Sequence, residues 1–232
     1  LWFRDVISES RGGLYDDQMD RSFRWGMGWF IFSEVMFFAA FFGALFYVRM
    51  FAIPWLGGEG AKGVSALLWP DFVATWPLLN PPDSSIAGPE QVFSPWQLPL
   101  VNTLILITSS ITLTVAHEAL KVGDRKTCRN WLTGTVLLGC CFIMIQGVEY
   151  YEAYAHYGIT LEAGIFGATF FILTGFHGVH VIIGTLILAA MLVRIIKGHF
   201  GDENHFGFEA SCWYWHFVDV VWVGLFIFVY VL

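Results

Sequence analysis

The stretch Phe208–Leu232, FEASCWYWHFVDVVWVGLFIFVYVL, is apolar over the width of a lipid bilayer, yet it carries ionisable residues in its first half. These residues are Glu209, His216 and Asp219. An aspartate at the centre of a membrane span costs about 3 kcal/mol on insertion scales, so such a group must face a protein partner, a water pocket or the interface. His216 and Asp219 lie three residues apart and share one face of a helix. The stretch therefore predicts a membrane-spanning helix with a polar face.

The composition extends this interpretation to the whole chain. Hydrophobic residues make up 56% of the 232 residues and charged residues only 13%, and the mean hydropathy is +0.62. A soluble domain carries about 25% charged residues. The net charge of −7 argues against a nucleic-acid partner. The four cysteines show no CxxC spacing, so they support neither a disulfide framework nor a zinc site.

Five long apolar stretches predict an all-α polytopic membrane protein, a bundle of five transmembrane helices. We expect an interfacial segment over residues 1–21, the five-helix transmembrane bundle over 22–232, and a long outer loop over 50–97 within it. The expected spans are 22–49, 98–120, 130–154, 163–196 and 208–232.

The positions of lysine and arginine predict the orientation. Ten of the 12 basic residues fall on one side of the expected spans, and only Arg49 and Lys62 fall on the other. Since loops on the inner side of a membrane are enriched in Lys and Arg, we expect the N-terminal segment inside and the 50–97 loop outside.

Glu34 lies near the middle of the first expected span and is the most buried-looking carboxylate in the sequence. Such a residue can be a proton-active or channel-lining group. It can equally be a structural carboxyl that pairs across a helix interface, for example with a histidine. The second interpretation is the more common one, and we favour it.

The other polar residues inside the expected spans could in principle converge on a metal or a haem. Their spacing does not require convergence, and the Glu-x-x-His pairing typical of di-metal bundles is absent. We therefore expect structural roles and no bound metal, and no catalytic residue in this chain. The residues in question are Glu149, His177, His180, His216 and Asp219.

Several motifs, in order along the chain, resemble subunit III of the haem–copper cytochrome c oxidases. The most specific are FEASCWYWHFVDVVW at the start of the last span and ATFFILTGFHGVHVIIGT at 168–185. Other matching segments are the opening LWFRDVISES, 32–38, 99–103, 123–126, 146–150 and 205–222.

The resemblance implies a non-catalytic subunit of a proton-pumping, oxygen-reducing cytochrome c oxidase, which stabilises the catalytic subunit, supports proton uptake and binds phospholipids. Haem and copper belong to the partner subunits I and II in this family. Glu34 matches the family's embedded carboxylate, and our candidates for lipid head-group binding are Trp2, Arg4 and Arg194.

The family has seven helices, and this sequence begins where the second helix would end. The family's first two helices are therefore absent here, removed, or supplied by a separate chain. A quinol-oxidising relative has five spans but lacks the LWFRD start and the HFGFEA run. An independent membrane transporter or redox protein is the other alternative. We expect a bacterial inner membrane, with the mitochondrial inner membrane as the alternative.

Overall fold

The computed structural model describes residues 2–60, 63–83, 85–200 and 205–232, with only the backbone for Trp2, Phe3, Arg4 and Arg11. Within these ranges the chain forms eight α-helices and no strand. The helices are α1 (Trp2–Arg11), α2 (Asp17–Tyr47), α3 (Ile53–Leu56), α4 (Ser65–Leu68), α5 (Leu98–Lys121), α6 (Arg125–His156), α7 (Gly164–Ile196) and α8 (Phe206–Leu225). Two π-helical turns, Val48–Ala52 and Phe226–Val231, continue α2 and α8.

Five helical segments among the described residues are long and apolar enough to cross a bilayer. The first joins α2, the π-helical turn and α3 into one run, Asp17–Leu56. The others are Leu98–Lys121, Arg125–His156, Gly164–Ile196 and Phe206–Val231. The predicted all-α polytopic membrane fold with five spans is confirmed.

Helix boundaries differ from the expected ones where local capping extends a helix. Helix α2 begins at Asp17 rather than at residue 22, because the Oδ1 atom of Asp16 accepts the Met19 backbone N–H at 2.8 Å. Residues 17–21, expected in an interfacial segment, are therefore helical. Helix α6 begins at Arg125 rather than 130, since Asp124 accepts the Thr127 N–H at 3.0 Å.

The expected 50–97 loop also begins later in the structure. The chain stays helical through the π-helical turn and α3, to Leu56. The run passes into α3 because the Ile53 backbone N–H bonds to the Val48 carbonyl oxygen, and Pro54 lies in the first turn of α3, where its fixed φ suits a helix.

Contacts divide the chain into two compact units. The first unit comprises Leu1–Val35, Leu104–Ile143 and His180–Val220. Its core holds the fully buried Trp215, whose indole Nε1 donates a hydrogen bond to Ser109 Oγ at 3.0 Å. Glycine makes room for this ring, because a Cβ atom on Gly184 would lie 2.8 Å from Trp215 Cε3. A large aromatic ring thus packs directly against the α7 backbone.

The second unit comprises Met36–Thr103, Met144–Val179 and Val221–Leu232. Its core holds another fully buried indole, that of Trp222, which donates to Thr103 Oγ1 at 3.0 Å. The hydroxyl groups of Tyr150 and Thr174 share a hydrogen bond of 2.8 Å. Each unit therefore satisfies a buried indole N–H with a hydroxyl group of α5.

Candidate functional site

The structure brings Glu34 of α2 together with His180 of α7. The imidazole Nε2 lies 2.9 Å from the carboxylate Oε2. The histidine side chain is 13% exposed and the glutamate side chain 22%. The contact joins two residues that are 146 positions apart. The pair can hold a proton between its two members inside an apolar segment.

Aromatic rings surround this pair. The ring of Tyr214 stacks on His180 with centroids 6.3 Å apart and an interplanar angle of 17°. Phe217 approaches the same imidazole at 6.4 Å, and Phe30 stacks on Tyr214 at 6.2 Å. Because the surrounding rings are apolar, the Glu34–His180 hydrogen bond has little competition from water.

A second histidine–carboxylate pair lies along α8. The Nδ1 atom of His216 is 2.8 Å from Ser110 Oγ and 3.6 Å from Asp219 Oδ2. The histidine side chain is 40% exposed, whereas the aspartate side chain is 11% exposed. Both contacts use the same ring nitrogen, so the group does not form the relay through two ring nitrogens that a serine nucleophile needs.

The remaining predicted polar residues lie in the second unit. Glu149 is fully buried, and its Oε1 accepts a short hydrogen bond from the Tyr230 hydroxyl. The His177 ring is 1% exposed and packs on Trp222 with centroids 5.0 Å apart. Among the described residues, no group of three or more His, Cys, Asp or Glu side chains is placed to hold a metal ion.

One ionic group was missed by sequence reasoning. Arg24 Nη1 lies 2.7 Å from Glu209 Oε1, and Arg24 Nε lies 2.7 Å from Asp20 Oδ2. The guanidinium carbon also lies 5.1 Å from the centre of the Phe206 ring. A signal was present, because Arg24 and Glu209 stand near span ends on the same predicted side of the membrane.

Of the three lipid candidates, the structure describes the side chain of Arg194 alone. Its guanidinium lies 4.2 Å from the centre of the Phe200 ring, and Nη1 is 3.7 Å from Met191 Sδ. Arg194 occupies the last turn of α7, where a cation complements the helix dipole. The side chains of Trp2 and Arg4 lie outside the described residues.

Comparison with known proteins identifies the family. The sequence model of the family "Cytochrome c oxidase subunit III" matches residues 1–232 of this chain. The chain belongs to the cytochrome c oxidase subunit III family. It is 42% identical to "Cytochrome c oxidase subunit 3" of Gadus morhua over 230 residues, which cover 99% of this chain and 77% of the relative.

Other family members give the same result. The proteins of the same name from Oncorhynchus clarkii and Scyliorhinus canicula are 41% and 42% identical, again over 99% of this chain and 77% of each relative. As a family member, the chain is a transmembrane subunit of an oxidase and works in a complex with other subunits.

Proposed function

We propose that this chain is the non-catalytic subunit III of a proton-pumping, oxygen-reducing cytochrome c oxidase. It contacts subunit I directly and shares the complex with subunit II. It stabilises the catalytic subunit, supports proton uptake and binds phospholipids. Haem and copper are held by the partner subunits. The family match over residues 1–232 carries this proposal.

The Glu34–His180 geometry supports an accessory role. The embedded carboxylate bonds to a histidine of the same chain at 2.9 Å. A hydrogen bond that uses one carboxylate oxygen and one ring nitrogen supplies a stable proton-holding pair without any cofactor of this chain. The pair also stabilises the contact between α2 and α7.

Affinity purification from the native membrane tests the core of the proposal. The tagged chain is expected to retain a large haem-bearing chain, and the visible spectrum and metal content should belong to that partner. Haem or stoichiometric copper that stays with the tagged chain alone, after separation from all partners, would favour an independent redox protein instead. A donor assay with cytochrome c and with a quinol separates the two oxidase branches.

The variant Glu34→Ala tests the assignment of proton support. We expect electron transfer and the haem spectrum of the complex to stay largely intact, since the partner subunits hold haem and copper in this proposal. We expect proton uptake to slow, because the carboxylate is lost. Glu34→Asp is the matched variant that keeps a carboxylate. Loss of the haem signal in Glu34→Ala would contradict the assignment.

The variant Arg194→Ala tests lipid binding. A phosphate of a phospholipid is a fitting partner for a guanidinium at a span end. We expect fewer phospholipid adducts in native mass spectrometry, with a smaller effect on folding. Lys197→Ala, an exposed change three residues further on, is the matched control. Unchanged adducts in Arg194→Ala would count against this role.

Cell fractionation tests the location. The chain is a membrane protein, and we propose the inner membrane of a bacterium, with the mitochondrial inner membrane as the alternative. The tagged chain should sediment with respiratory activity in the membrane fraction.

A further inference from the structure

The imidazole of His216, 40% exposed, lies well inside the fifth membrane-spanning segment. The ion pair of Arg24 and Glu209 marks one end of the helix. His216 is seven residues beyond Glu209, about 10 Å along the helix axis at 1.5 Å per residue. The helical run continues to Val231, about 22 Å beyond His216. Both distances place the ring within a hydrocarbon core about 30 Å thick.

The chain satisfies only one side of this ring. Ser110 Oγ and Asp219 Oδ2 both approach Nδ1, at 2.8 and 3.6 Å. No second hydrogen bond of the His216 ring occurs within the part of the chain that the structure describes, and the side chain is 40% exposed. The Nε2 atom can donate or accept one hydrogen bond, and no partner for it lies within the described part of the chain.

The residues around the ring are apolar and open. Val220 is one helical turn beyond His216 and is 72% exposed, and Ile107 and Ile111 flank Ser110 at 44% and 60% exposure. We call Ser110, His216 and Asp219, with these three neighbours, the His216 patch. It combines exposed aliphatic side chains with one ring nitrogen that lacks a partner among the described residues.

We propose that the His216 patch docks a transmembrane helix of the catalytic subunit that carries a polar side chain, such as a hydroxyl or amide group, opposite Nε2. Lipid acyl chains form no hydrogen bonds, so contact with lipid leaves this ring nitrogen without compensation. A polar side chain of a partner helix removes this cost, and hydrogen bonds of this kind hold membrane helices together. This inference rests on the proposed function, which supplies the partner.

Replacement of His216 by its two amide analogues tests which ring position forms the bond, because each amide can both donate and accept. Gln places its amide near the position of Nε2, whereas Asn places it near Nδ1. With the tagged chain in the native complex, we expect His216→Gln to retain most of the haem-bearing partner. We expect His216→Asn and His216→Leu to lose it about tenfold in detergent washes. His156→Leu, an exposed histidine of α6, is the matched control and should retain the partner fully.

A photo-crosslinking residue at Val220 supplies a readout that does not depend on the stability of the complex. The expected product is an adduct with the haem-bearing chain that His216→Leu reduces several-fold. Adducts with lipid alone, or equal retention of the partner by His216→Leu and the wild type, would overturn the inference while the proposed function stands. A wild-type chain that retains no haem-bearing partner would overturn both.

Discussion

The two histidine–carboxylate pairs of the first unit use the same chemical groups in opposite ways. Glu34 and His180 come from different helices, lie 2.9 Å apart and have 22% and 13% of their side chains exposed. His216 and Asp219 come from one helix turn, lie 3.6 Å apart, and the imidazole is 40% exposed. The fold covers the Glu34–His180 pair with neighbouring side chains, and we call it the closed pair. The His216 ring is left exposed on one side, and we call His216–Asp219 the open pair.

The difference follows from how each pair is built. Residues on two packed helices face each other, so their side chains meet in the interface and are covered by neighbours such as Tyr214. Residues three apart on one helix lie side by side on its surface, so the ring cannot be covered by its own partner. We infer that a histidine–carboxylate pair within one helix needs a further helix to cover it in a membrane. A pair between two packed helices does not.

The largest expected effect comes from opening the closed pair. His180→Ala leaves the Glu34 carboxylate without its partner inside a membrane span. We expect the free energy of unfolding to fall by about 2–4 kcal/mol. Thermal unfolding of the purified complex measures this loss. The double variant Glu34→Gln with His180→Ala should lose less than the sum of the single variants. Additive losses would show that the two residues do not interact.

The next effect comes from the packing that supports both pairs. A Cβ atom in Gly184→Ala would lie 2.8 Å from Trp215 Cε3 and 3.3 Å from Tyr214 Cε1. Trp215 precedes His216 in the chain, and Tyr214 stacks on His180. Displacing these rings should lower the free energy of unfolding by about 1–3 kcal/mol. Gly178→Ala is the matched control on the same helix, because nothing lies within 4 Å of its added Cβ. Equal melting temperatures for both variants would contradict this packing.

A smaller effect is expected at the open pair. Ser110→Ala removes the hydroxyl that lies 2.8 Å from His216 Nδ1, and a single hydrogen bond of this type contributes about 0.5–1.5 kcal/mol. The measurement is again thermal unfolding. Thr114→Val is the control because, among the described residues, the Thr114 hydroxyl bonds only to the Ser110 carbonyl of its own helix. A loss as large as that of His180→Ala would show that the second pair is closed like the first.

The smallest effect is expected at a carboxylate outside the membrane. Hydrogen bonds from the side chain and backbone of Thr127 hold the pKa of Asp124 below its ordinary value of 3.8. A lowered pKa in the folded state means that this stabilisation is complete above pH 3.8 and is lost as the pH falls through the lowered value. Melting temperatures of wild type and Asp124→Ala should therefore converge in acid. A constant difference from pH 7 to pH 3 would refute the assignment.

The sequence predicted the five spans well, but it did not determine how the polar residues inside them pair. Long apolar runs identify membrane helices from composition alone, because the bilayer sets their length. The first residues of α2 and α6 depended on the capping side chains Asp16 and Asp124, which start each helix a few residues before the expected span. Glu34 was expected to pair with some histidine, but nothing in the sequence selected His180 over His177 or His216.

By itself, the amino-acid sequence determined the fold class, the spans and the family of this protein, because hydrophobicity, length and motif order are properties of the chain. Only the tertiary structure decided which histidine faces which carboxylate and which ring stays half exposed. These outcomes depend on the rotation and depth of each helix against its neighbours. Close packing at positions such as Gly184 and Trp215 sets that rotation, and hydropathy does not encode it.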